Sequence, residues 1–309
     1  MANLIILKDG KKIKNLNEEE IHPEEKIEKL IKEGNLLPDV YILGEQVRTS
    51  SGEDRIDLLG LDSENNVIVI EVKDEIVDEN VISQVLKYAL WAEKNPDSIK
   101  SIWLEKREKP AINFDWDNLK VKIIIVAPSF KPIVRIAVNR IYYPVELVEF
   151  KKFSDEEKEY IFLNEVELDE SKEKTSRGTE EYNEEFYIKN YNPESAKEFW
   201  KLCAKIEEYV KKRGWNLTRK NTKQYVSFKY GFFGVFGVAF INYSEFCLSF
   251  NVPKEVVEKM KIEGHELYRY QTQWKQALYK VDSSNVDLQK FEPLFEAAYR
   301  NITGRKQRK

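Results

Sequence analysis

Two short apolar runs set the pattern of this chain. Residues 56–61 and 67–72 are aliphatic and rich in β-branched side chains, as buried strands are, and the polar residues 62–66 between them predict a hairpin turn. Asp57 opens the first run, and Glu71 and Lys73 close the second. Strand alternation puts Glu71 and Lys73 on one side and turns Val72 toward the core. Residues 121–127 (VKIIIVA) are almost wholly apolar, as expected of a strand covered on both faces. Residues 41–49 predict a further core strand carrying Glu45, and residues 3–16 a short hairpin turning at Asp9-Gly10.

Helical spacing takes over between these runs. Residues 21–33 have Pro23 in the first turn and a stripe of Ile27, Leu30 and Ile31; Glu28 lies on the same helix. Residues 81–91 put Gln84 and Tyr88 four apart, on one helix face, where Tyr88 also suits a core position. Residues 99–107 and 115–118 read as peripheral, and residues 133–138 and 141–150 as completing the sheet or its cover. Strands interleaved with helices predict an α/β core with a mixed central sheet.

The pattern changes after residue 150. Residues 154–185 are acidic and hydrophilic, with Ser154 to Glu157 reading as a helix-starting capping box. Residues 171–179 hold almost no apolar side chain and mark a boundary. This predicts a first domain over 1–150, an acidic helix and linker over 151–178, and an α+β domain over 179–309. In the last, residues 193–212 form an amphipathic helix with Phe199, Leu202, Cys203, Ile206 and Tyr209 or Val210 inward, ended by Gly214. Strands follow at 224–230, 235–242, 246–251 and 274–281, with helices at 254–262 and 287–300.

With 309 residues, 42% of them hydrophobic, the chain can build two sizeable cores. Its charged share of 34%, mostly Lys and Glu, leans toward a thermophilic source. A net charge of −4 gives no global attraction to nucleic acid, so any such binding needs local basic patches. Two cysteines, Cys203 and Cys247, cannot form a disulfide framework, and two histidines, His22 and His265, leave little for a zinc site or a Ser-His-Asp triad. A carboxylate–metal mechanism is untouched by that shortage. The start of the chain lacks a signal-peptide h-region, and the longest apolar run, 231–241, is too short to span a bilayer. A soluble, cytoplasmic protein without membrane contact is expected.

Asp57, Glu71 and the Val72 carbonyl are hard oxygen ligands of the kind Mg²⁺ takes. Lys73 beside them can lower the pKa of an attacking water or offset charge on a phosphate. Taken singly, Asp57 reads equally as a strand-end residue and Glu71–Lys73 as a solvent-facing ion pair. As a set, Asp57, then Glu71-Val72-Lys73, then Gln84 and Tyr88 resemble the PD-(D/E)XK, restriction-endonuclease-like superfamily, and within it the nuclease domain of NucS/EndoMS-type DNA endonucleases. Gly44-Glu45-Gln46-Val47, the turn at Gly52 and Arg55-Ile56-Asp57-Leu58-Leu59 fit the same pattern, which spans roughly residues 20–130.

The resemblance implies a restriction-endonuclease-like core and a DNA endonuclease dependent on Mg²⁺ or Mn²⁺, in repair, restriction or defence. It implies Asp57, Glu71 and Val72 as metal ligands, with Glu45 or Glu28 assisting. Lys73 would act on the attacking water, and Gln84 and Tyr88 would position solvent or phosphate. It also implies a homodimer where both strands are cut. Because only the nuclease part is matched, mismatch specificity is not carried over. The alternative is an inactive nucleic-acid-binding or assembly module of the same fold.

The second half resembles an uncharacterised domain found attached to such nucleases, through RKNTKQYVSFKY, GVAF and LSF. Lys211, Lys212, Arg213 and Trp215, then Arg219, Lys220 and Lys223, are basic stretches interleaved with aromatics. With Arg55 they are candidates to hold nucleic acid, phosphates on the cations and a base on the ring. Equally, Trp215 and Tyr225 belong to the core and the lysines solvate one end of the domain. The basic tail 304–309 would add only non-specific attraction.

Overall fold

The structure is a computed structural model that describes residues 3–8, 11–49, 54–110, 114–156, 158–168 and 182–304. The expected turn at Asp9-Gly10, the turn at Gly52, the linker over 171–179 and nearly all of the basic tail lie outside the described residues. The chain forms two compact units. One gathers Met1–Leu36, Ile42–Glu105 and Trp116–Arg177, and the other Leu37–Tyr41, Lys106–Asp115 and Gly178–Lys309. The second thus takes in two short segments that the sequence alone assigns to the first.

The first unit runs β1 (Asn3–Lys8), β2 (Lys11–Glu19), α1 (Glu24–Gly34), β3 (Val40–Arg48), β4 (Arg55–Asp62) and β5 (Asn66–Val72). It continues with α2 (Asn80–Lys94), α3 (Pro96–Glu105), β6 (Lys120–Ala127), α4 (Pro132–Val138), β7 (Val145–Ser154) and β8 (Glu159–Glu165). The sheet order is β1-β2-β7-β6-β5-β4-β3, with β8 also paired to β7. It is a mixed sheet: β4 and β5 are antiparallel, while β5, β6 and β7 are parallel neighbours. A parallel pair needs a crossover, and α2 and α3 supply it between β5 and β6.

Local chemistry explains the central hairpin. Asp62 Oδ1 accepts the backbone N–H groups of Glu64 and Asn66, each at 2.9 Å, while Asn65 takes a left-handed φ of 69°. An Asx turn of this kind fixes the tight reversal. β6, apolar almost throughout, lies between two parallel neighbours with Ile123, Ile125, Val126 and Ala127 fully buried.

One expectation is corrected. Over its described residues the expected helix start is a strand turn: Ser154 ends β7, Asp155 Oδ1 accepts the Lys158 N–H at 2.9 Å, and β8 returns antiparallel along β7. The segment Glu159–Glu165, EYIFLNE, carries aromatic and β-branched side chains that suit a strand, and ladder pairing overrides the acidic start signal.

The second unit contains α5 (Glu184–Asn190), α6 (Pro193–Lys212), β9 (Thr218–Asn221), β10 (Tyr225–Tyr230), β11 (Phe233–Phe240) and β12 (Phe246–Asn251). α7 (Lys254–Glu258), β13 (Leu267–Gln271), β14 (Gln276–Val281) and α8 (Glu292–Thr303) complete it. All its strand pairs are antiparallel, in the order β13-β14-β12-β11-β10-β9. α6 and α8 bring Phe199, Ile206, Phe295 and Ala298 into an aromatic-rich core with Phe228, Phe236, Phe240 and Phe250 of the sheet. The edge strands β9 and β13 are short and were not legible as strands. Trp274 sits in the turn before β14. Among the described residues no helix is long and apolar enough to cross a membrane.

Candidate active site

The β4–β5 hairpin brings two carboxylates to its open end. Its register pairs Leu58 with Ile70 and Leu61 with Val67, so Asp57 and Glu71 lie one step beyond the last pair. Asp57 Oδ2 accepts the Val72 N–H at 2.8 Å, fastening the carboxylate of one strand to the backbone of the other. Glu71 is fully buried, and neither of its carboxylate oxygens receives a hydrogen bond. Lys73 Nζ lies 2.6 Å from Glu71 Oε1, an ion contact whose angles do not make a hydrogen bond. The same ammonium is 3.2 Å from the Val72 carbonyl oxygen and 3.2 Å from Glu24 Oε1.

α1 supplies the next layer. Its buried side chains are Ile27, Glu28 and Ile31, so Glu28 belongs to the inward face and is not solvated. Gln46 Nε2 donates to Glu28 Oε1 at 2.9 Å and to Asp57 Oδ1 at 3.4 Å, tying helix and hairpin together. Glu45, the neighbouring candidate, is exposed and paired with Lys32. From α2, Gln84 Nε2 donates to the Tyr88 hydroxyl at 3.2 Å, and Tyr88 is buried.

Burial dominates the electrostatics. Desolvation, then the Asp57 charge, pushes the Glu71 carboxyl up to about 8 against the pull of Lys73. Desolvation lifts Glu28 to about 7 and also raises Asp57, where the Val72 N–H and Lys73 oppose it. For Lys73, burial acts downward, but the charges of Glu71, Glu24 and Asp57 outweigh it and raise the ammonium above its ordinary value. Tyr88 is raised by burial, and the charges of Glu71 and Asp57 reach its hydroxyl. Lys73 is therefore a fixed cation at neutral pH, and Glu71 tends to keep its proton.

Among the described residues, no three His, Cys, Asp or Glu side chains form a metal-holding group. The donors gathered at the hairpin are two carboxylates, Asp57 and Glu71, and the Val72 carbonyl, with Glu28 linked through Gln46. Buried carboxylate oxygens without donors are costly unless paired or liganded. Lys73 meets Glu71 Oε1, and Glu71 Oε2, left without a hydrogen-bond partner, thus fits a hard divalent cation, with water completing its shell.

Two residues of this cluster carried no assigned role in the sequence. Glu24, four residues before Glu28, shares its helix face, and that spacing was the available signal. Gln46 was hidden by strand parity, which favours Glu45 or Gln46 only once the backbone path is known.

The basic candidates of the second unit are placed differently. Trp215 is buried, stacked on Tyr299 with ring centroids 4.4 Å apart, and so belongs to the core. Lys211 pairs with Glu207 at 2.9 Å, and Arg213 with Glu292 and with Glu296, the latter at 3.2 Å. Arg219 pairs with Glu207 at 3.1 Å and lies over the Trp200 ring, while Lys220 pairs with Asp39 at 3.2 Å. Lys212 is exposed and Lys223 half-buried. In the first unit, Arg55 is exposed at the start of β4.

No protein-family model and no curated protein matches this chain. Among solved structures, it is similar to EndoMS in a complex with double-stranded DNA, at 19% identity over 42% of this chain and 47% of that one, with a TM-score of 0.31. It is also similar to a repair endonuclease from Pyrococcus abyssi, at 21% identity over 43% of this chain and 50% of that one, with a TM-score of 0.29. The chain spans about half the length of each.

Proposed function

We propose that the first unit is a metal-dependent endonuclease of the PD-(D/E)XK kind, hydrolysing phosphodiester bonds in DNA with Mg²⁺ or Mn²⁺. The observation that carries this reading is Glu71: a fully buried carboxylate beyond the last hairpin pair, beside Asp57, with no hydrogen-bond donor on either oxygen and an ammonium alongside. Asp57, Glu71 and the Val72 carbonyl would hold the ion, which when bound supplies polarisation of the phosphate and a water of lowered pKa. The charges of Glu71, Glu24 and Asp57 favour the Lys73 ammonium, which suits it to stabilise negative charge developing on the phosphate. Gln84 and Tyr88, hydrogen-bonded to each other, are suited to orient a phosphate oxygen or water. DNA as the polymer follows from the resemblance of the motif.

One contact favours the second reading, a binding module without turnover. The Lys73 ammonium itself meets both Glu71 and the Val72 carbonyl, satisfying the donors a metal would use. Labelled single-stranded, duplex and branched DNA incubated with Mg²⁺, Mn²⁺ or EDTA separates the two. Metal-dependent cutting that disappears in Lys73→Ala supports the nuclease; salt-sensitive binding without a product under any ion supports the module.

A further inference from the structure

Gln46 stands at a point where the chain departs from ordinary strand geometry. It takes a φ of 49° inside β3, a conformation that side-chain-bearing residues seldom adopt and that persists only where the surroundings impose it. Two residues earlier, a Cβ on Gly44 would meet Val47 Cγ2 at 2.7 Å, so the backbone is folded tightly across this stretch. The kink leaves Glu45 in solvent, paired with Lys32, and sends the Gln46 amide inward. There one neutral NH₂ group donates to two carboxylates on different elements, Glu28 of α1 and Asp57 of β4.

A carboxylate or a cation at this position would do something else. A third acid would repel both neighbours, and an ammonium would compete for their oxygens as Lys73 does for Glu71. An amide satisfies one oxygen of each and leaves their remaining lone pairs for a ligand.

We propose that Gln46 is a positioning residue for the hydrolytic site, its amide clamping Glu28 of α1 to Asp57 so that the Asp57 carboxylate is held in place for the ion. This rests on the nuclease reading above. Groups that orient metal ligands typically change metal affinity or activity by about 10–100-fold when removed.

The test measures Mn²⁺ affinity by calorimetry on the full chain without DNA, and kcat and KM for cleavage separately. The proteins are wild type, Gln46→Met, Gln46→Gly, Glu28→Gln and the Glu28→Gln/Gln46→Met double variant. Gln46→Met keeps the bulk and removes the donor; Gln46→Gly suits the left-handed backbone and guards against misfolding. The proposal expects both Gln46 variants to bind Mn²⁺ about tenfold or more weakly and to lose kcat with KM unchanged. It also expects Gln46→Met to add little in the Glu28→Gln background, because the two residues act as one unit. Wild-type Mn²⁺ affinity and kcat in the folded variants, or full additivity with Glu28→Gln, would overturn it while leaving the nuclease reading intact. Absence of both Mn²⁺ binding and cleavage in the wild type would instead overturn the nuclease reading and this proposal with it.

Discussion

In the first unit Asp57, Glu71, Lys73 and Glu24 converge at the end of one hairpin, and Glu71 is buried with no donor on its carboxylate. In the second, Lys211, Arg213 and Arg219 each rest against a carboxylate of their own unit, two of them beside aromatic rings. Tyr209 Oη and Arg219 Nη2 are also buried without hydrogen bonds there, but the Arg219 charge is met by Glu207. The contrast separates polar groups that complete a fold from polar groups the fold keeps in reserve. Satisfied ion pairs need no ligand. Three carboxylates, Asp57, Glu71 and Glu24, around the one Lys73 ammonium, with Glu71 Oε2 unpartnered, have capacity left for one.

The largest expected effect falls on chemistry in one unit and on stability in the other. Asp57→Ala, Glu71→Ala and Lys73→Ala should each lower cleavage by at least about 10²–10³-fold with the far-UV spectrum unchanged. Trp215→Ala should do the opposite, costing about 3–5 kcal/mol in denaturant unfolding, because it empties an aromatic stack in the core. Intact cleavage in two of the three first-unit variants, or an undisturbed second unit without Trp215, would break the contrast.

A smaller effect follows from pH. Glu71 and Glu28 sit near 8 and 7 in the folded protein against an ordinary value of 4.5, so folding favours their protonated forms. The stability this contributes is complete below about pH 4.5 and is lost as pH rises through about 7–8. In EDTA, the thermal midpoint should therefore decline between pH 5 and 8, and Glu71→Gln should flatten the decline. An equally steep fall in that variant would mean that other groups govern it.

The smallest effect belongs to the surface lysines. Lys212→Ala and Lys223→Ala should each change stability by less than about 0.5 kcal/mol and leave the salt dependence of DNA binding as it was. A salt slope lowered by about one for either lysine would support the second unit as a nucleic-acid contact.

The sequence made the hairpin and the placement of its charged side chains legible because both are local. Val67 to Ile70 are apolar in an unbroken run, and Glu71 and Lys73 are placed by strand parity alone. Tyr88 and Gln84 were placed by helical spacing in the same way. What escaped depends on path and pairing. β8 was hidden because Ser154-Asp155-Glu156-Glu157 carries a sound helix-start signal, and only pairing with β7 decides against it. Gln46 was hidden because a positive φ in β3 resets which side chain turns inward. Trp215 could not be assigned to core or surface until Tyr299, far along the chain, was found stacked on it.

The central claim is that Glu71 and Asp57 form a site for a divalent cation, and calorimetric titration of Mn²⁺ into the DNA-free protein at pH 7 tests it most directly. Run in buffers of different ionisation enthalpy, it also counts the protons released. One binding event releasing close to one proton, abolished in Asp57→Asn and losing its proton release in Glu71→Gln, is the predicted result, because a Glu71 carboxyl near 8 must give up its proton to become a ligand. No binding, or binding that survives Asp57→Asn without proton release, would contradict it.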